Sequence, residues 1–243
     1  VAAVQQSSVV LLACKPASLS AVLAEDGMRD ALSGKLLISV LAGVSAQQIQ
    51  DVLYPKPTYS SQLQGIKQLA VDCTIVRALP NVAAGIRRSM TVVEQPTAPL
   101  DPETEALVNW ILGQIGEVSY LPAHQMDAGS ALCGSGPAFF ALMLEAAVDG
   151  AVAMGVPRDE AVRMAAQTMR GTAEMVLGGE HPALLKDKVA TPGGCTMGGL
   201  LVLEEGGVRG SVSRAVREAT VVVGLVGKGV VGVNGTRGGG VQM

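Results

Sequence analysis

Val9-Val10-Leu11-Leu12-Ala13-Cys14-Lys15-Pro16 is the stretch on which the fold turns. An unbroken apolar, β-prone run stops abruptly at a lysine and a proline. A run of this length without polar alternation marks a strand buried on both faces, as in a sheet covered by helices on each side. Residues 17–23 then read as a helix. Residues 35–41 (Lys-Leu-Leu-Ile-Ser-Val-Leu) repeat the pattern and close at Ala42-Gly43. Ser45 is a suitable N-cap for a helix over 46–53. Residues 72–79 form a third strand, ended by Pro80-Asn81. Strand, helix, strand, helix, strand is the rhythm of a parallel sheet. A fourth strand is predicted at 89–93 and a last one at 117–121. Between them a helix opens with Asp101 as cap and Pro102 at its first position.

After Pro122 the strand signals vanish and helical ones take over. Pro137, following Gly134-Ser135-Gly136, starts a helix to about residue 152. It is apolar on nearly every side, so it is expected to be buried, as between subunits, and to drive oligomerisation. Pro157 opens another helix, on which Val162, Ala165, Ala166, Met169, Ala173 and Val176 share a face. Further helices are expected at 182–188, 196–204 and 210–222. The tail from Gly224 is rich in Gly and Val and reads as poorly ordered or non-native in character.

Composition narrows the function. The chain has 243 residues, 49% of them apolar, which is enough for a sizeable core. Its formal charge is -3 and its basic residues are scattered, which argues against a nucleic-acid partner. Cys14, Cys73, Cys133 and Cys195 are far apart, and only His124 and His181 accompany them, so no metal site is expected. Free thiols point to a reducing, cytoplasmic compartment. No apolar run reaches the ~18 to 20 residues that a bilayer span needs, so no membrane partner is expected. The chain starts Val1-Ala2-Ala3-Val4 and enters directly into a strand-like run, as a fragment or processed chain would.

In an open parallel sheet, ligands bind beyond the carboxyl ends of the strands. Those ends carry Lys15, Ala42-Gly43 and Asn81: a cation for a phosphate or ribose, small residues that admit a flat ring, and an amide. Each is a weak signal alone, and their agreement in position carries the weight. A Gly-x-Gly-x-x-Gly turn after a first strand is absent near the start, and Gly134-Ser135-Gly136 comes too late to serve. A second candidate is Ala190-Thr191-Pro192-Gly193-Gly194-Cys195-Thr196. A glycine turn that opens a helix leaves unpaired N–H groups suited to a carboxylate or phosphate. Thr191 and Thr196 could add their hydroxyls. On local sequence alone, a loop with a glycine-assisted helix start is the plainer reading.

Together these stretches resemble the pyrroline-5-carboxylate reductases. The matching segments include Leu12-Ala13-Cys14-Lys15-Pro16, Ser39-Val40-Leu41-Ala42-Gly43-Val44, Arg77-Ala78-Leu79-Pro80-Asn81, Met126-Asp127-Ala128, Leu132-Cys133-Gly134-Ser135-Gly136-Pro137-Ala138-Phe139, Met154-Gly155-Val156-Pro157, Thr191-Pro192-Gly193-Gly194-Cys195-Thr196 and Leu203-Glu204-Glu205-Gly206-Gly207-Val208-Arg209. The resemblance implies an α/β fold, an incomplete Rossmann-type dinucleotide-binding domain over 1–122. It also implies an all-α substrate and dimerisation domain over 123–223, ahead of the Gly-rich tail at 224–243. It implies reduction of the imine 1-pyrroline-5-carboxylate to L-proline by NADPH or NADH, in a homo-oligomer, a dimer or larger. By carry-over, Lys15, Ala42, Gly43 and Asn81 line the cofactor. Thr191, Gly193, Gly194, Cys195 and Thr196 hold the substrate, and Thr196 also acts catalytically at the ring nitrogen.

The chain departs from the family at Pro80-Asn81-Val82-Ala83, where a Thr and a Pro are usual, and at Cys133, commonly Ser. With the glycine fingerprint absent, this chain is expected to bind NADPH weakly or not at all. A catalytically impaired fragment persisting as a helical dimer is one alternative. A related small-acid dehydrogenase is another, but that class uses a lysine on the long helix, which here carries only Glu145 and Asp149.

Overall fold

A computed structural model describes residues 1–55, 72–228 and 230. Its elements run α1 (Ala2–Gln5), β1 (Val9–Leu12), α2 (Leu19–Leu23), α3 (Met28–Leu32), β2 (Leu36–Ser39), α4 (Ala46–Leu53), β3 (Thr74–Leu79), β4 (Ser89–Glu94), α5 (Pro102–Gly113), β5 (Gly116–Leu121), α6 (Met126–Ser130), α7 (Gly136–Ala153), α8 (Arg158–Leu177), α9 (Pro182–Val189), α10 (Cys195–Glu205) and α11 (Val208–Gly227). The chain divides into two compact units, Val1–Ser135 with Val216–Met243, and Gly136–Ala215.

In the first unit the five strands lie in the order β1-β2-β3-β4-β5. The pairs β1·β2, β2·β3 and β4·β5 are parallel, while β3·β4 is antiparallel. The antiparallel step departs from the purely parallel rhythm of the sequence. Its cause is the connection 80–88, which is too short for the crossover of a dozen or more residues that a parallel pair requires. Two apolar layers sandwich the sheet. Leu19, Leu23, Leu37, Leu41, Ile49 and Leu53 lie on one face. Leu36, Ile38, Val76, Ala78, Val108 and Leu112 lie on the other. β2 is buried throughout. β1 is not buried on both faces as expected: it is an edge strand, and Leu11 is 60% exposed.

The helix starts follow their local signals. Ser45 Oγ accepts from Gln48 N at 3.1 Å, and Gln48 Oε1 accepts from Ser45 N at 2.8 Å, a complete capping box. Asp101 accepts from Thr104 N at 2.9 Å, with Pro102 in the first turn of α5.

The second unit is helical. The less exposed stripe of α8 runs through Ala161, Ala165, Met169 and Val176, while Val162, Ala166 and Ala173 of the expected face are exposed. Only Gly136 and Val148 of α7 are buried within the chain. Phe140, Leu142, Met154, Leu177, Leu184 and Val202 are all exposed. This is more exposed apolar surface than scattered single residues, and it suits contact with another chain. The sequence broke this region at Gly134-Ser135-Gly136-Pro137. The chain instead stays helical from Ala123 to Ala153, passing through a π-helical turn at Ala131–Ser135. Contrary to the reading of the runs, this one helix among the described residues is long and apolar enough to cross a membrane, by length and composition only. α11 likewise continues past residue 222 to Gly227, into the stretch read as tail; residues 231–243 of that tail lie outside the described residues.

The capping box gives a direct check. Ser45→Ala is expected to lower stability by about 1 kcal/mol, read as a fall in the urea midpoint at unchanged slope. No fall would mean that Gln48 alone holds the start of α4.

Candidate active site

Because β1, β2 and β3 are parallel neighbours, with Leu12 opposite Ser39 and Ser39 opposite Arg77, their carboxyl ends share one rim. The structure therefore brings Lys15, Ala42, Gly43 and Asn81 to a single edge of the first unit. Lys15 and Ala42 are exposed there. Lys15 precedes a 3₁₀ turn, Pro16–Ser18, whose Ser18 N–H donates to the Lys15 carbonyl at 2.8 Å.

Gly43 has φ 74°, a left-handed value that favours glycine. Its missing side chain makes room for the chain itself. A Cβ there would lie 2.7 Å from the backbone nitrogen of Gly227, in the last turn of α11. Gln48 Nε2 donates to the Gly227 carbonyl at 3.0 Å and fastens that turn. Of the two small residues, Ala42 is the exposed one, and Gly43 presents backbone.

Asn81 is held at three points. Its N–H donates to Ser89 Oγ at 3.0 Å, its Oδ1 accepts from Ala83 N at 2.9 Å, and its Nδ2 donates to the Cys133 carbonyl at 3.0 Å. The last contact has a plain origin. Pro137 has no N–H, so the carbonyl four residues before it, that of Cys133, lacks its α-helical donor. The Asn81 amide fills that place and keeps one N–H and one lone pair for another partner. Beside it, Val82 is 81% exposed where the resemblance would place a threonine. Burial pushes the Cys133 thiol pKa up, so this thiol is no ready nucleophile.

An exposed ammonium, a methyl-sized side chain and a fixed amide at adjacent ends of parallel strands fit a nucleotide laid along this rim. A separate cavity of ≈450 Å³ is lined by residues such as Gln50, Thr74, Arg77, Glu94 and Asp101. None of the rim residues lines it. Its charged groups are engaged within the protein, Arg77 with Glu94 and Asp101 with the start of α5.

The second unit carries the hinge. Pro192 and Gly193, with φ 69° at Gly193 and a bond from Gly194 N to the Thr191 carbonyl at 3.0 Å, form a type II turn. A Cβ on residue 194 would sit 2.5 Å from Thr191 Oγ1 and 3.1 Å from the Thr191 carbonyl oxygen, so a side chain there would displace the threonine hydroxyl. Gly194 then caps α10 with no side-chain hydrogen bond, leaving its first N–H groups uncapped. Thr191, Pro192, Gly193 and Cys195 are exposed, and Gly194 and Thr196 are half-buried. The hinge is thus an open, uncapped helix start of the kind that binds a carboxylate.

Residues 123–223 match the family profile described as pyrroline-5-carboxylate reductase dimerisation. Residues 1–43 match one described as NADP oxidoreductase, coenzyme F420-dependent. A pyrroline-5-carboxylate reductase of Lophium arboricola is 62% identical over 237 residues, covering 98% of this chain and 72% of the relative. One from Neurospora crassa is 53% identical over 248 residues, with the same coverages. Among solved structures, Plasmodium falciparum pyrroline carboxylate reductase with NADP bound superposes with a TM-score of 0.77 at 25% identity, covering 92% of this chain and 79% of that one.

Asn81→Asp keeps the acceptor for Ala83 but sets an oxygen against the Cys133 carbonyl. The expected loss is about 1–3 kcal/mol of stability, measured by chemical denaturation. A midpoint equal to wild type would show that the Asn81–Cys133 bond contributes nothing.

Proposed function

The chain belongs to the pyrroline-5-carboxylate reductase family, and on that premise we propose that it reduces 1-pyrroline-5-carboxylate to L-proline, the last step of proline synthesis, with NADPH as reductant. The observation that carries the reading is the uncapped start of α10 behind the Thr191–Gly194 turn, an anion seat for a small acid. The rim supports the other half. Lys15 meets phosphate or ribose, Ala42 and the Gly43 backbone admit a flat ring, and Asn81 offers its remaining N–H and lone pair.

When bound, the reduced nicotinamide supplies a hydride. The chain's own work is binding and orientation. The backbone from Gly193 to Thr196, with Cys195 between them, holds the substrate carboxylate, and Thr191 adds its hydroxyl. The Thr196 hydroxyl meets the ring nitrogen. With its nitrogen protonated and facing Thr196, the imine would be held ready for reduction to the amine of proline. A protonated imine is already electrophilic, so positioning accounts for the catalysis without a nucleophile.

The uncovered apolar face of the second unit and the dimerisation match support a homo-oligomer, proposed here as a dimer or larger. The four free thiols support a reducing, cytoplasmic setting.

Thr196→Ala tests the assignment. It is expected to lower kcat/KM for the imine at least tenfold, the loss of one hydrogen bond to a charged ligand at roughly 1.5–3 kcal/mol. The denaturation midpoint should move by less than ~0.5 kcal/mol. Equal losses of activity and stability would reduce Thr196 to a helix-start residue, and a wild type that forms no proline would overturn the function. Light scattering checks the assembly: a mass of one chain would refute the homo-oligomer.

A further inference from the structure

Arg77 lies in β3, four positions before Asn81, and its side chain is only 4% exposed. Nη1 donates to Glu94 Oε2 at 3.2 Å, at the end of β4. Nη2 faces Asp127 Oδ1 of α6 at 3.7 Å, an ion pair beyond hydrogen-bond reach. Nε and Nη2 make no hydrogen bond within the described residues. A buried guanidinium with unused donors is a poor stabiliser, and an apolar side chain of similar size would serve the core at least as well. What this arginine does is join three elements: β3, β4 and α6.

The joint bears on Asn81. Met126 packs with Leu79 and Val92, so apolar contact presses α6 onto the sheet. Such contact is non-directional and does not fix how far the helix slides or turns. The Arg77–Asp127 ion pair adds one attraction between specific atoms of β3 and α6, which favours one seating of the helix. α6 runs straight into the π turn, whose Cys133 carbonyl receives the Asn81 amide. On one side the Asp127 carboxylate, 42% exposed, lies against α11, where a Cβ on Gly224 would come within 3.1 Å of Oδ2.

We propose that Arg77 is a positioning residue for the nucleotide rim: through Asp127 it holds α6 and the π turn where the Cys133 carbonyl orients the Asn81 amide. The inference rests on the reading above that Asn81 meets the nucleotide. Arg77 itself touches neither cofactor nor substrate.

Asp127→Asn removes the charge, keeps the shape and alters a half-exposed residue, so the protein should fold. Amide hydrogen exchange across 131–135 is expected to accelerate at least tenfold while exchange in β2 stays unchanged. KM for NADPH is expected to rise at least fivefold, with KM for the imine within twofold. On an Asn81→Ala background, Asp127→Asn should add nothing to the NADPH KM, because both act through one amide. Arg77→Lys should restore part of the protection that Arg77→Met loses. Unchanged exchange in a folded Asp127→Asn overturns the brace, and a full additive effect beside Asn81→Ala overturns its route through Asn81. Exchange is read without turnover. A wild type with no reductase activity therefore counts against the reductase reading, whatever the exchange shows of the brace.

Discussion

A carbonyl that a proline cannot serve organises one corner of the first unit. Pro137 cannot donate to the half-buried Cys133 carbonyl, and a carbonyl shielded from water without a partner is costly. The chain resolves this from outside the helix, with an asparagine at the end of a central strand. The consequence reaches further than one hydrogen bond. The side chain that satisfies the helix also closes the 3₁₀ turn Val82–Ile86 by accepting from Ala83 N, and the backbone N–H of Asn81 donates to Ser89 Oγ. Helix, turn and strand are thus registered to one another by a single residue. Its remaining N–H and lone pair then point from a fixed frame, the condition under which a weak polar group becomes a selective one.

Glycine does two different jobs in the two candidate regions. At the hinge, Gly193 supplies a backbone angle and Gly194 supplies clearance from Thr191, so the turn is local and needs nothing from the rest of the fold. At the rim, Gly43 supplies clearance for a backbone nearly two hundred residues away in sequence, the last turn of α11. The first case is readable from four letters. The second depends on where a distant helix ends.

That distinction explains what the sequence could tell. Strand positions, the Ser45 box and the Asp101-Pro102 start were legible because each rests on neighbours within one turn. Thr191 to Thr196 was legible for the same reason, as turn chemistry followed by an uncapped start. The antiparallel placing of β4, the exposure of Leu11 and the burial of Arg77 were not, because each is set by what lies beside the strand. The π turn escaped because Gly134-Ser135-Gly136-Pro137 carries every local sign of a break. The helix nonetheless runs through a π turn, where the Asn81 amide donates to the Cys133 carbonyl that the proline cannot serve. Val9 to Cys14 shows the limit most plainly: an unbroken apolar run cannot say whether a neighbour covers both sides.

The chemistry fits a chain with two histidines and few aromatics. Hydride addition to a protonated imine asks for no proton relay and no nucleophile, only for two partners held at the right distance and angle. In the proposed site the holding falls to backbone donors and short side chains, which add little bulk and little conformational entropy. The larger cost falls on residues that hold the holders. A guanidinium buried with unused donors is a poor choice for stability and a good one for direction, because apolar packing presses surfaces together without choosing their register. Where an active site has no strong acid or base to tune, its precision has to come from such braces. Their place is behind the residues that touch the ligand rather than among them.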